Sequence, residues 1–160
     1  MNIFARIMVG DVENYAKLIQ ATDINLKDED GASLLRIAIA YSSEEIALDL
    51  LSRGIEINQA DGKGSNELQN AFWKGFWSLG VELVKRGADL HHRNKHGNNA
   101  LWYASTHPKV DYNVVRLLVE NGSDVHTKNV AGRSPLDAAK ERGQLELVEI
   151  LENSSPNGPG

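Results

Sequence analysis

Cysteine is absent from this 160-residue chain, which removes disulfide staples, thiolate zinc sites and cysteine nucleophiles at once and agrees with a reducing compartment. Long apolar runs are absent too, since no stretch approaches the roughly 20 apolar residues needed to span a bilayer. The opening segment 1–9 is too short for a secretory apolar region, carries Arg6 in its middle and runs into the polar Gly10-Asp11 rather than a small-residue cleavage site. It reads as mature protein, and the expectation is a soluble, cytoplasmic protein with no membrane partner.

Basic charge is scarce: 17 Lys plus Arg stand against 22 Asp plus Glu, for a formal charge of −5, and the cations are scattered rather than striped. Phosphate backbones attract basic surfaces, so nucleic acid is not the expected partner, whereas a neutral or basic protein fits the balance. Catalytic signatures are lacking as well. There is no glycine-rich phosphate loop, GxSxG elbow, HExxH helix or EF-hand pattern, and the acids are spread along the chain. The chain therefore reads as no enzyme, with no cofactor and no small-molecule substrate. The histidines His91, His92 and His96, with His126 further on, are the nearest approach to a metal set. An adjacent pair points apart in an extended arm, so they read as turn-tip residues, with His92 and His96 as partner contacts.

What is present is a repeat, in a chain whose 41% hydrophobic content suffices for one packed domain. The segments beginning Gly31-Ala32-Ser33-Leu34-Leu35, Gly64-Ser65-Asn66-Glu67-Leu68, Gly97-Asn98-Asn99-Ala100-Leu101 and Gly132-Arg133-Ser134-Pro135-Leu136 align, and their glycines step by 33, 33 and 35. A second marker, Gly54, Gly87 and Gly122, steps by 33 and 35 in the same register.

Each unit predicts two helices. Ser33, Asn66, Asn99 and Ser134 are residues that accept hydrogen bonds from the free N–H groups of a helix start, and Pro135 suits the first helical position. Leucine followed three residues later by alanine (Leu35/Ala38, Leu68/Ala71, Leu101/Ala104, Leu136/Ala139) marks a core face on which the small residue lets a neighbouring helix approach. A second apolar helix follows in each unit and, in three of them, stops at the glycine of the second marker, suited to a left-handed cap. Such pairs cannot hide their apolar faces alone, so they must stack into a solenoid.

These units resemble the ankyrin repeat, whose Thr-Pro-Leu-His-x-Ala pattern appears as Ser33-Leu34-Leu35-Arg36-Ile37-Ala38 and most closely as Ser134-Pro135-Leu136-Asp137-Ala138-Ala139. Gly87-Ala88-Asp89-Leu90 and Gly122-Ser123-Asp124-Val125 match its Gly-Ala-Asp-hydrophobic element. The resemblance implies an all-α fold, an ankyrin-repeat solenoid of helix-turn-helix units with short β-turn or hairpin connections. Its domain would span residues 1–152, with a degenerate N-terminal cap repeat at 1–27, repeats at 28–60, 61–93, 94–128 and 129–152, and a flexible tail at 153–160. The family's Pro and His are replaced by Leu34/Arg36, Glu67/Gln69 and Ala100/Trp102 in the middle units, which predicts missing cross-repeat hydrogen bonds there. Two extra residues near His107 to Asp111 predict an enlarged turn.

At 100° per residue Trp73 stands 200° from Ala71, so it leaves the core face and projects outward. Tyr41, Lys74, His107 and Arg142 fall at the equivalent helix end in their units and would line one side of the stack. The resemblance implies that this side and the turn tips form a concave surface for a folded protein. The expected contacts are Trp73, Lys74, Tyr41, Trp102, His107, Arg142, His92 and His96, with Trp77 packed as structure and Trp102 in the family's His position beside the inter-repeat contact. The expected function is a non-catalytic binding module, an inhibitor or toxin-neutralising immunity protein being the leading form and a structural adaptor the alternative.

Overall fold

The computed structural model describes residues 2–153. Among them are ten helices in five pairs: α1 (Ile3–Met8) with α2 (Val12–Ile19), α3 (Leu34–Ala40) with α4 (Glu44–Ser52), α5 (Glu67–Trp73) with α6 (Trp77–Lys85), α7 (Ala100–Thr106) with α8 (Tyr112–Glu120), and α9 (Pro135–Glu141) with α10 (Leu145–Asn153). None is long and apolar enough to cross a membrane. First helices pack against first helices and second against second, giving two rows. Helix α10 includes Asn153, the first residue assigned to the flexible tail, and 154–160 lie outside the described residues.

The local chemistry explains the starts. Ser33, Asn66, Asn99 and Ser134 each accept a hydrogen bond from the backbone N–H three residues on, at 3.1, 3.0, 2.9 and 3.1 Å. The paired leucines and alanines of the repeat are all buried. They belong to one core running from Ile3 to Leu151. The first pair joins it through Ile3, Ile7, Tyr15 and Ile19. Its buried Tyr15 hydroxyl donates to Asp49 Oδ2 at 2.6 Å, and Arg53 Nε reaches the same oxygen at 2.6 Å. Burial first, then the bond to Asp49, raises the phenol pKa, so the hydroxyl keeps its proton and the staple holds.

Between pairs run turns; among the described residues there are no strands, only an isolated antiparallel bridge between Lys27 and Ser33. Each repeated turn is built on one Asp or Asn: Asp28, Asp61, Asn94 and Asn129. In each, the side-chain oxygen accepts the N–H groups two and four residues on. The glycine three residues on takes a left-handed φ of 77, 74, 73 and 73°, which closes the turn at no side-chain cost. Adjacent turns then bond through backbone, Lys95 N–H to Lys63 O at 3.1 Å and Val130 N–H to His96 O at 3.0 Å.

One expectation is corrected in the third pair. Gln69, in the family's His position, donates through Nε2 to His92 O and to Asn98 O, both at 2.9 Å, so this unit keeps its cross-repeat bonds by another side chain. The enlarged turn is present at 107–111, where the connections between the helices of the second, third and fifth pairs are 41–43, 74–76 and 142–144.

Gly80 in α6 shows how tight the stack is. A Cβ built there would lie 2.1 Å from Cε1 of Phe72, a ring with no exposed surface. Alanine would gain about 1 kcal/mol of helix propensity. Displacing a buried ring costs about 2 kcal/mol or more, so the clash wins. Gly80→Ala should lower the urea midpoint, whereas Gly62→Ala, with nothing within 4 Å of the added carbon, should not. A Gly80→Ala variant as stable as the parent would contradict this packing.

Candidate protein-binding surface

The C-cap residues of the five first helices are Val9, Tyr41, Lys74, His107 and Arg142. The helical register thus brings the four sequence-selected side chains of this set into one row and adds Val9. One residue earlier, at the last helical position, stand Met8, Ala40, Trp73, Thr106 and Glu141. The N-terminal half of this double row is apolar and open: Val9, Tyr41 and Trp73 are 72, 54 and 62% exposed.

Two of the cations in the row are committed within the chain. Lys74 Nζ donates to Ala40 O and Ser42 Oγ, both at 3.0 Å, and Arg142 Nη1 donates to Thr106 O at 3.0 Å. Ala40 and Thr106 are the last residues of α3 and α7, so each cation sits on the negative end of the preceding first helix. His107 is half-buried, edge-on to Trp77 with ring centroids 5.1 Å apart, and its Nδ1 accepts from Lys109 N–H at 3.0 Å. Trp77 also meets Phe72 at 5.8 Å and packs against the core. Trp102 is half-buried with the Arg133 guanidinium 5.7 Å over its ring, and Arg133 also pairs with Glu141. His92 donates through Nε2 to Gly64 O at 2.6 Å and locks two turns together. Trp73, Tyr41, His96 and Arg142 are the sequence-selected residues that stay exposed, and of these four Arg142 alone has its side chain bonded within the described residues. Among the described residues no group of three or more His, Asp or Glu is placed to hold a metal ion.

A groove of about 590 Å³ opens beside Trp73. Its walls come from α3, α5, the turn 59–65, His96 of the next turn and Tyr103 of α7, and no second helix contributes. Trp73, Lys74 and His96 line it; Arg36, Asp61 and Glu67, which the sequence reading did not select as contacts, line it too. A larger hollow of about 990 Å³ lies between α8, α10 and the turn at 122–126, on the second-helix row. It is rimmed by the acids Glu120, Asp124, Glu146 and Glu149 and crossed by the Arg116 to Glu146 ion pair at 3.3 Å. No tryptophan, tyrosine or phenylalanine lines it, so the smaller groove is the better candidate.

Glu67 is the unusual member of the groove. It occupies the first position of α5, is 2% exposed, and neither carboxylate oxygen has a hydrogen-bond partner. Burial pushes its pKa up to about 7, although Arg36 and the backbone N–H groups of Glu67, Gln59 and Asn58 partly oppose this without forming hydrogen bonds of normal geometry. Asp61 behaves oppositely. Burial disfavours its charge, but the Asn70 amide at 2.9 Å and the N–H groups of Ser65 and Lys63 outweigh that and hold its carboxyl below the usual range.

A row of short helix pairs with an aromatic groove along its first helices is the build of a helical-repeat binding protein. A family model for ankyrin repeats, in three copies, matches residues 68–157, more than half of the chain, and the chain belongs to the ankyrin repeat family. No curated protein matches the sequence. Ankyrin repeats are in general protein–protein interaction modules and typically non-catalytic.

The raised pKa of Glu67 has a definite sign for stability. Between its ordinary value near 4.5 and about 7 the folded chain holds a proton that the unfolded chain has lost, so this group's stabilising contribution is full below 4.5 and disappears as pH rises through 7. Glu67→Gln should track wild type at pH 5 and exceed it by roughly 2 kcal/mol at pH 8. Urea denaturation at the two pH values measures the difference, and parallel stabilities would show that Glu67 is solvated.

Proposed function

We propose that the chain is a non-catalytic module that binds a folded protein through the first-helix face, centred on the groove beside Trp73. The observation that carries this reading is an indole 62% exposed at the edge of a groove walled by first helices and turns. Large exposed apolar side chains grouped in a row, here Val9, Tyr41 and Trp73, offer the anchors that interfaces use. His96, exposed at the groove, belongs to this contact set, and Lys74 and Arg142 contribute by holding the row rigid.

Within this class we favour blocking of the partner over its chemical modification, since a preformed surface acts by occupying what it covers. An inhibitor or toxin-neutralising protein is the specific form of that reading. Tethering is the second reading, favoured by the separate hollow on the second-helix row, which gives the stack another concave face. The five helix pairs serve as the repeats, the first pair as the N-terminal cap.

Affinity capture with wild type beside Trp73→Ala tests the reading, after circular dichroism shows both equally folded. A partner held by wild type should bind Trp73→Ala about tenfold or more weakly, the cost of losing an aromatic anchor. A partner bound equally by both would move the contact off this face. A second protein retained only by the variant's intact second-helix row would support tethering.

A further inference from the structure

We infer that the groove beside Trp73 receives an acidic side chain of the partner, an aspartate or glutamate set next to an apolar residue, with the Arg36 guanidinium as its counter-charge. This rests on the reading of the first-helix face as the interface and specifies its chemistry.

Arg36 carries the argument. Among the described residues it is the half-buried cation whose side chain has neither a hydrogen bond nor an ion pair; the other Lys and Arg side chains without one, Lys27, Lys63, Arg86 and Lys109, are exposed. It lies within electrostatic reach of Asp61 and Glu67 yet bridges to neither. Asp61 spends Oδ2 on the Asn70 amide and Oδ1 on the N–H groups of Lys63 and Ser65. Glu67 lines the groove with little exposure, and neither of its carboxylate oxygens has a hydrogen-bond partner. A guanidinium presents five donors in a planar fork suited to a carboxylate, and here the chain supplies none to fill it.

The local charge agrees. Arg36, Lys63 and Lys74 line the groove against Asp61 and a Glu67 that burial keeps largely uncharged below pH 7. The groove is thus cationic on a chain whose net charge is −5, which is the opposite of what the global charge suggests for its partner. A partner carboxylate would bond Arg36 while its apolar neighbour covers the Trp73 ring. Burial of that pair behind the indole strengthens it over an exposed ion pair.

The test is a nitrogen-15 NMR titration of the full chain with three capped tripeptides: leucyl-glutamyl-leucine, leucyl-glutaminyl-leucine and leucyl-lysyl-leucine. The glutamyl peptide should shift the Arg36 side-chain N–H and the Trp73 indole N–H saturably, with a Kd of about 1 mM, and the other two should bind about fivefold more weakly. Arg36→Gln should reduce the glutamyl peptide to the level of the glutaminyl one, and Arg36→Lys should fall between, keeping the charge but losing the fork. A lysyl peptide that binds the groove as well as the glutamyl one overturns the inference while leaving the first-helix interface standing. So does glutamyl binding unchanged in Arg36→Gln, or no saturable shift at Arg36. Shifts confined to the second-helix row with every peptide would count against the interface itself.

Discussion

Helices of six to nine residues carry too little apolar surface to fold as isolated pairs, so each pair in this chain is held by the one beside it. The leucine and alanine of α3, α5, α7 and α9 are where this dependence is concentrated. Leucine supplies the buried area, and alanine lets the next first helix come close enough to use it. From that stacking follow the two rows, the alignment of helix ends, and the groove that opens where those ends and the turns meet. Gly80 against Phe72 shows how little slack it leaves. The ends need separate treatment. At the N-terminal end the Tyr15 to Asp49 bond, backed by Arg53, fixes the first pair to the second, and at the other end α9 and α10 carry their polar residues into water.

The turns add a second, polar layer of order. One Asp or Asn per turn collects two backbone N–H groups, and the turns then bond to one another through backbone and side chains such as Asn129 to Asn98 at 2.9 Å. With these bonds made, the turn 59–65 is fixed before any partner arrives. An interface built on fixed turns and short rigid helices loses little entropy on binding, so more of its contact energy appears as affinity.

Much of this was legible in the chain because it depends on neighbours in sequence. Caps at Ser33, Asn66, Asn99 and Ser134, left-handed glycines, and the outward turn of Trp73 are all set within one helical turn. Asp28, Asp61, Asn94 and Asn129 form a third marker with the same spacing as the glycines, hidden by the exchange of Asp for Asn. What sequence spacing does not give is reach between units. Lys74 and Arg142 stand at helix ends as expected, but the carbonyls they engage lie 34 and 36 residues earlier, and only stacking brings them within 3.0 Å. His92 and Trp102 likewise carry chemistry already used within the chain, at Gly64 O and the Arg133 guanidinium. Gln69 shows the converse, a departure from the family pattern that restores by a different side chain the bonds the pattern implied.

Glu67 is the departure that stacking does not repair. The equivalent first-helix positions hold Leu34, Ala100 and Pro135, all apolar and all buried, and a charge there loses hydration with no hydrogen bond in return. The first-helix caps at Ser33, Asn66, Asn99 and Ser134 and the four Asp or Asn turns are satisfied, while this cost stands in the lining of the groove beside Trp73. Places where an otherwise consistent sequence breaks its own local rule tend to be sites of function. In the same groove Arg36 is the complementary anomaly, a cation left without an acceptor. Had the two met directly, each would have met the other's need and the groove would be a closed ion pair. Kept apart, they leave the guanidinium available at the one place on this surface where an exposed indole offers apolar cover.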